Sequence, residues 1–326
     1  METLYPPIEP FATHRLSVGD GHDLHVEEVG NPKGVPVVVL HGGPGGESWP
    51  SDRTFFDPAV YRIVLFDQRG CGKSRPDTSS PDALIANSPE ALCADVETLR
   101  KLLGIDRWYV FGGSWGSTLA LLYAEAHAQR VMGLILRGVF LCRPQEIAWL
   151  YQAGASLFYP DAWQLFVQPI EPNQRHNMVA AYHRIFTDGA REEQLDAAWA
   201  WANWEHTIAN LYPQALPPDT PAFRQKALNL AKIENHFFHH CTLGTPGFLN
   251  PNPLLANAHQ LQGIPIWIVQ GRYDLVCPLQ SAWDLFQVTP WAKFLLCPDA
   301  GHAANEPGIL RTLLAVMEEI KSNPPA

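Results

Sequence analysis

The chain has 326 residues, 46% of them hydrophobic and 17% charged, a balance that supports a large buried core and excludes an intrinsically disordered protein. A formal charge of -10 with no clustered Lys or Arg excludes a phosphate-binding surface, so no nucleic-acid partner is expected. No apolar run approaches the roughly 18 to 20 residues of a membrane span, and METLYPPIEP lacks the basic-then-apolar order of a signal peptide, so a cytoplasmic location without a membrane partner is expected.

In chain order, Leu24 to Val29, Val35 to Leu40, Arg62 to Phe66 and Trp108 to Phe111 read as strands. Short continuous Val/Ile/Leu runs suit strands buried on both faces. Between them, Ser88 to Leu103 carries Leu92, Val96, Leu99 and Leu103 at helical spacing. This alternation predicts an α/β protein with a mostly parallel, doubly wound sheet. After the strand-like Val131 to Val139 the chain turns rich in Trp, Tyr, Gln and Ala, with proline-marked breaks near Pro172 and Pro217-Pro218, and reads as a helical insertion. Strand character returns at Ile264 to Gln270 and Lys293 to Cys297, and the amphipathic Gly308 to Ile320 closes the chain as a helix. The expected organisation is a core from residues 1–141, an inserted helical cap domain from 142–258, and the rest of the core from 259–326. The tail from Ser322 to Ala326 is expected to fray.

The six cysteines, at 71, 93, 142, 241, 277 and 297, contain no CxxC pair, so neither a disulfide framework nor a zinc site is expected. His239-His240-Cys241 has metal-ligand chemistry, but adjacent residues on one element point apart and His236 adds only an isolated pair with His240. No metal is expected there.

Residues 112 to 117 read GGSWGS, so Gly112-x-Ser114-x-Gly116 lies between a buried strand and the helix-like Thr118 to Ala126. That is the context of the nucleophile elbow of the α/β-hydrolase fold. A serine hydroxyl needs a histidine base oriented by a carboxylate, and in this fold the order is Ser, then Asp or Glu, then His. Asp274 follows the strand ending at Gln270, and His302 follows the strand ending near Cys297. Singly, Asp274 is as readily a helix cap and His302 a turn residue. Their shared position after successive strands, in the required order, assigns them jointly as acid and base.

His41-Gly42-Gly43-Pro44-Gly45-Gly46 follows the strand Val35 to Leu40 and is suited to turn a backbone N–H toward a developing oxyanion. Gly43 and Trp115 are the expected donors. The run Asp67 to Ser74 ends like a phosphate-binding loop, but its spacing is wrong for one, and it reads as a tight loop bracing the site.

HGGPGG at 41–46, DQRGCGKS at 67–74, GGSWGSTLAL at 112–121, GRYD at 271–274 and AGH at 300–302 together resemble the prolyl iminopeptidases. The likeness runs along nearly the whole chain. It implies a serine aminopeptidase that releases N-terminal proline from peptides through an acyl-enzyme, with Ser114, Asp274 and His302 matching the family's triad and no cofactor or metal. It implies further that Glu205 in WANWEHTI and Glu234 in AKIENHFF bind the free amino terminus. A glutamate on a helix is ordinarily solvated, but an ammonium in a partly dry pocket demands a carboxylate, and Trp199, Trp201 and Trp204 favour partial burial of Glu205. Phe140, Trp149, Tyr151 and Cys277 flank the start of the insertion and the acid loop, and are candidates for the apolar walls of a proline pocket or for core. After His302 the chain carries Ala303-Ala304-Asn305, where related sequences often carry bulkier or more polar residues. A carboxylesterase or another small-molecule hydrolase is the alternative, because the same core serves many chemistries.

Overall fold

The computed structural model describes residues 4–212 and 214–322. The first three residues of METLYPPIEP, and residues 323–326 of the tail expected to fray, lie outside the described residues, while Ser322, the first residue of that tail, is helical. Among the described residues, eight strands form one sheet in the order β1-β2-β4-β3-β5-β6-β7-β8. They are β1 (Pro10–Ser17), β2 (Asp23–Gly30), β3 (Val35–Leu40), β4 (Tyr61–Phe66), β5 (Trp108–Gly113), β6 (Val131–Arg137), β7 (Ile266–Gly271) and β8 (Lys293–Cys297). The pairs β1–β2 and β2–β4 are antiparallel, and every pairing from β4 through β3 to β8 is parallel. The mostly parallel sheet matches the expectation from the buried runs.

The parallel strands are apolar throughout because each feeds two cores. In β3, Val38 and Leu40 face one apolar cluster while Val37 and Val39 face the other. Burying each such side chain contributes roughly 1.5–3 kcal/mol. β1 was not legible in the sequence. It is an edge strand in which Phe11, Thr13 and Arg15 are exposed, so its residues do not form an apolar run.

Nine helices accompany these strands among the described residues: α1 (Pro89–Leu102), α2 (Trp115–Ala126), α3 (Pro144–Tyr151), α4 (Pro160–Val167), α5 (Met178–Asp188), α6 (Arg191–Ile208), α7 (Pro221–Leu243), α8 (Leu279–Val288) and α9 (Pro307–Ser322). α1 starts where Ser88 Oγ accepts from the Ala91 N–H at 3.2 Å and Pro89 fills the first turn. It buries Leu92, Val96 and Leu99. α9 packs Ile309, Leu313, Val316, Met317 and Ile320 against the opposite core.

Helices α3 to α7 all fall between β6 and β7. They share the apolar cluster on one sheet face, where Phe237 of α7 meets the Trp115 ring edge-on at 5.0 Å. No helix among the described residues is long and apolar enough to cross a membrane.

Candidate active site

β5 ends at Gly113 and α2 begins at Trp115, which leaves Ser114 alone in the turn with φ 58° and ψ -127°. That backbone is costly for an L-residue, and the structure sustains it by packing. A Cβ on Gly116 would collide with the Leu40 carbonyl oxygen, so only glycine lets α2 approach β3 this closely. The serine is thereby presented at the C-terminal edge of the sheet.

Asp274 lies just past β7 and His302 just past β8. The His302 Nδ1–H donates to Asp274 Oδ2 at 2.8 Å. The other acceptor positions of this buried carboxylate are filled by the Cys277 N–H at 2.8 Å, the Val276 N–H at 3.0 Å and Gln270 Nε2 at 3.2 Å. A carboxylate so held fixes the imidazole with Nε2 as an acceptor. The histidine loop is itself tied down: Glu306 accepts from the Gly301 N–H at 3.0 Å, and the His302 and Ala303 N–H groups both donate to the Ala209 carbonyl at 3.0 Å.

Ser114 and His302 line one cavity but are not hydrogen-bonded to each other. Ser114 Oγ lies 3.9 Å from Cys277 Sγ, and His302 Nε2 accepts instead from Arg137 Nη1 at 3.0 Å. The same Nη1 reaches the His302 carbonyl at 3.0 Å. Catalytic hydrogen bonds commonly tighten only when substrate arrives. Burial pushes the Cys277 thiol pKa well up, which leaves it a neutral neighbour of the nucleophile.

The loop from His41 to Gly46 brings Gly42 and Gly43 to the wall of this cavity, Gly43 with φ 116°. Trp115, first residue of α2, has no carbonyl four residues back within its helix to pair with. Its indole donates to Gln68 Oε1 at 3.0 Å, while Gln68 Nε2 donates to the His41 carbonyl at 2.9 Å. The run Asp67 to Ser74 thus joins the nucleophile's neighbour to the glycine loop.

At the far end, α6 and α7 bring Glu205 and Glu234 together. Trp201 Nε1 donates to Glu234 Oε2 at 2.8 Å, Tyr151 Oη donates to Glu205 Oε1, and the two carboxyl groups are within hydrogen-bonding reach of each other. Burial raises the pKa of both. For Glu234 the neighbouring Glu205 charge adds to it and holds the group well above the usual carboxylate range. Such a pair titrates as a unit, with the doubly charged form disfavoured. Behind it, Tyr151 stacks on Trp201 at 4.2 Å, and Trp201 and Trp204 are fully buried. The third tryptophan, Trp199, turns away onto Phe223 and Arg224.

The cavity holds about 400 Å³ and is lined by Gly43, Ser114, Phe140, Tyr151, Glu205, Glu234, Cys277 and His302. Trp149 is a correction to the sequence reading. On α3 it points some 100° away from Leu150, its indole donates to the Leu275 carbonyl at 2.8 Å, and it lines a neighbouring cavity with Phe158 and Tyr273.

Residues 35–308 match the family described as alpha/beta hydrolase fold. The chain is 47% identical over 321 residues to a proline iminopeptidase of Arabidopsis thaliana, covering 98% of this chain and 82% of that one. It is 46% identical to one from Xylella fastidiosa, covering 98% and 99%. The chain belongs to the proline iminopeptidase family.

Solved structures show how widely the fold of this proline iminopeptidase family member is shared. A putative aryl esterase from Burkholderia cenocepacia is 17% identical, with a TM-score of 0.61 and coverage of 95% and 98%. Two residues around its candidate triad escaped sequence reasoning, Gln270 and Arg137. Arg137 left a signal: a lone charged residue closing the apolar run Val131 to Leu136 and followed by glycine.

Proposed function

We propose that the chain hydrolyses the bond after an N-terminal proline, with Ser114 as nucleophile, His302 as base and Asp274 orienting it. The observation that carries this reading is one cavity with a strained serine elbow at one end and a buried carboxylate pair at the other. The names of the relatives support the same substrate.

In this mechanism the substrate's secondary ammonium sits against Glu205 and Glu234 and displaces the proton that they share before it arrives. The compact ring lies among Phe140, Tyr151 and Cys277. Ser114 transfers its proton to His302 and attacks the prolyl carbonyl. The Gly43 and Trp115 N–H groups stabilise the oxyanion, and His302 returns the proton to the leaving amine. Water then frees proline. Six free, buried cysteines favour a reducing compartment, which supports a cytoplasmic location.

The test compares a proline arylamide, its N-acetylated form and a p-nitrophenyl ester. Cleavage of the free-amine arylamide, lost on acetylation and in Ser114→Ala, is expected. Ester turnover without arylamide cleavage would overturn the reading in favour of a carboxylesterase.

A further inference from the structure

Arg137 ends β6 with its guanidinium inside the catalytic cavity. Of its donors, Nη1 is engaged by His302, while Nε and Nη2 have no hydrogen-bond acceptor among the described residues. No carboxylate lies within 4.0 Å of it to form an ion pair among the described residues. The guanidinium packs against Gly113, where a Cβ would collide with Nη2 and sit 2.8 Å from Nε. Glycine before the nucleophile is therefore what lets the guanidinium fit at this wall of the cavity. A half-buried cation lining the cavity with two parallel donors free is suited to a carboxylate.

The peptide substrate presents no anion at this place, but the reaction makes one. In deacylation, water adds to the acyl carbon and gives a proton to His302. The bond between that carbon and Ser114 Oγ breaks, Oγ retakes the proton, and the proline carboxyl group loses its own proton to solvent. A carboxylate appears only at this last stage, beside Ser114.

We propose that Arg137 forms a product site, pairing through Nε and Nη2 with the carboxylate of released proline while Glu205 and Glu234 keep its ammonium. This rests on the function proposed above. The site binds the zwitterionic imino acid in preference to the peptide, so free proline is retained and slows the next turnover.

The experiment measures inhibition of proline-arylamide hydrolysis by L-proline, L-prolinol and pyrrolidine, with binding of the same compounds followed directly by calorimetry. L-proline is expected to compete with substrate and to bind the wild-type protein at least about tenfold more tightly than L-prolinol, which lacks the carboxylate. Arg137→Met is expected to erase that preference and Arg137→Lys to keep part of it. Equal binding of proline and prolinol by the wild-type protein, or an undiminished preference in Arg137→Met, overturns the proposal. The wild-type comparison decides even where a variant does not fold. Arylamide hydrolysis without a preference for proline refutes the product site alone, whereas absence of hydrolysis refutes the peptidase reading.

Discussion

Gly138 leaves the space that His302 occupies: a Cβ on this glycine would lie 2.9 Å from Cε1 and 3.0 Å from Nδ1 of the imidazole, and its φ of 55° disfavours any side chain. Gly138→Ala therefore pushes the ring off Asp274. Misplacement of a catalytic group by about 1 Å costs on the order of a hundredfold, so kcat/KM on a proline arylamide is expected to fall by about that factor while circular dichroism stays native. An unchanged kcat/KM in a folded variant would mean that the ring position does not matter.

The glutamate pair makes a prediction about protons. Burial and the Glu205 charge favour the protonated form of the Glu234 carboxyl, and an arriving ammonium stabilises its anion. Binding of pyrrolidine near pH 7 is therefore expected to release a proton, read as a dependence of calorimetric heat on the ionisation heat of the buffer. Glu234→Gln should abolish that dependence and raise KM more than it lowers kcat. Buffer-independent heat in the wild-type protein would contradict the shared proton.

In the loop that follows β4, Arg69 clamps Asp95 of α1 through two hydrogen bonds of 2.7 and 2.9 Å, with both side chains buried. Asp95→Ala strands the guanidinium without its main partner, and breaking such a pair costs about 3–5 kcal/mol. Urea unfolding should show a loss of that order. A loss below about 1 kcal/mol would mean that water or Asp20 replaces the carboxylate.

A histidine cluster joins α5 to α7. His183 stacks on His239 at 3.8 Å, and burial lowers the pKa of His236 and of His239 to about 4, with His240 lowered as well. The facing partners are the Asn87 carbonyl, Asn235 and Thr245, none of them anionic. A folded-state pKa below the unfolded value of about 6.5 means that the unfolded chain binds more protons between these limits. Stability is thus complete above about pH 6.5 and declines as pH falls toward 4. His239→Gln should flatten the fall of the urea midpoint over that range, and a midpoint constant from pH 7 to pH 4.5 in the wild-type protein would refute it.

The parallel strands were legible because a strand buried on both faces has to be apolar at every position, and the elbow because only glycines permit its packing. The order of Ser114, Asp274 and His302 followed from their places after successive strands. Side-chain direction was less legible. Trp149 and Tyr151 are two residues apart on one short helix and line different cavities, a rotation that proximity in sequence conceals. Arg137 was hidden for another reason: its partners are a histidine 165 residues away and the missing side chain of Gly113. Long-range complementarity of that kind leaves only a solitary charge at the end of an apolar run.

Trp201 and Tyr151 stack on each other beside the carboxylates. Under the proposed reading, a substrate enters with its amino terminus first and stops at the carboxylates, with one residue between that stop and the serine. The enzyme then behaves as a ruler of fixed length that trims peptides stepwise from one end and leaves internal prolines untouched.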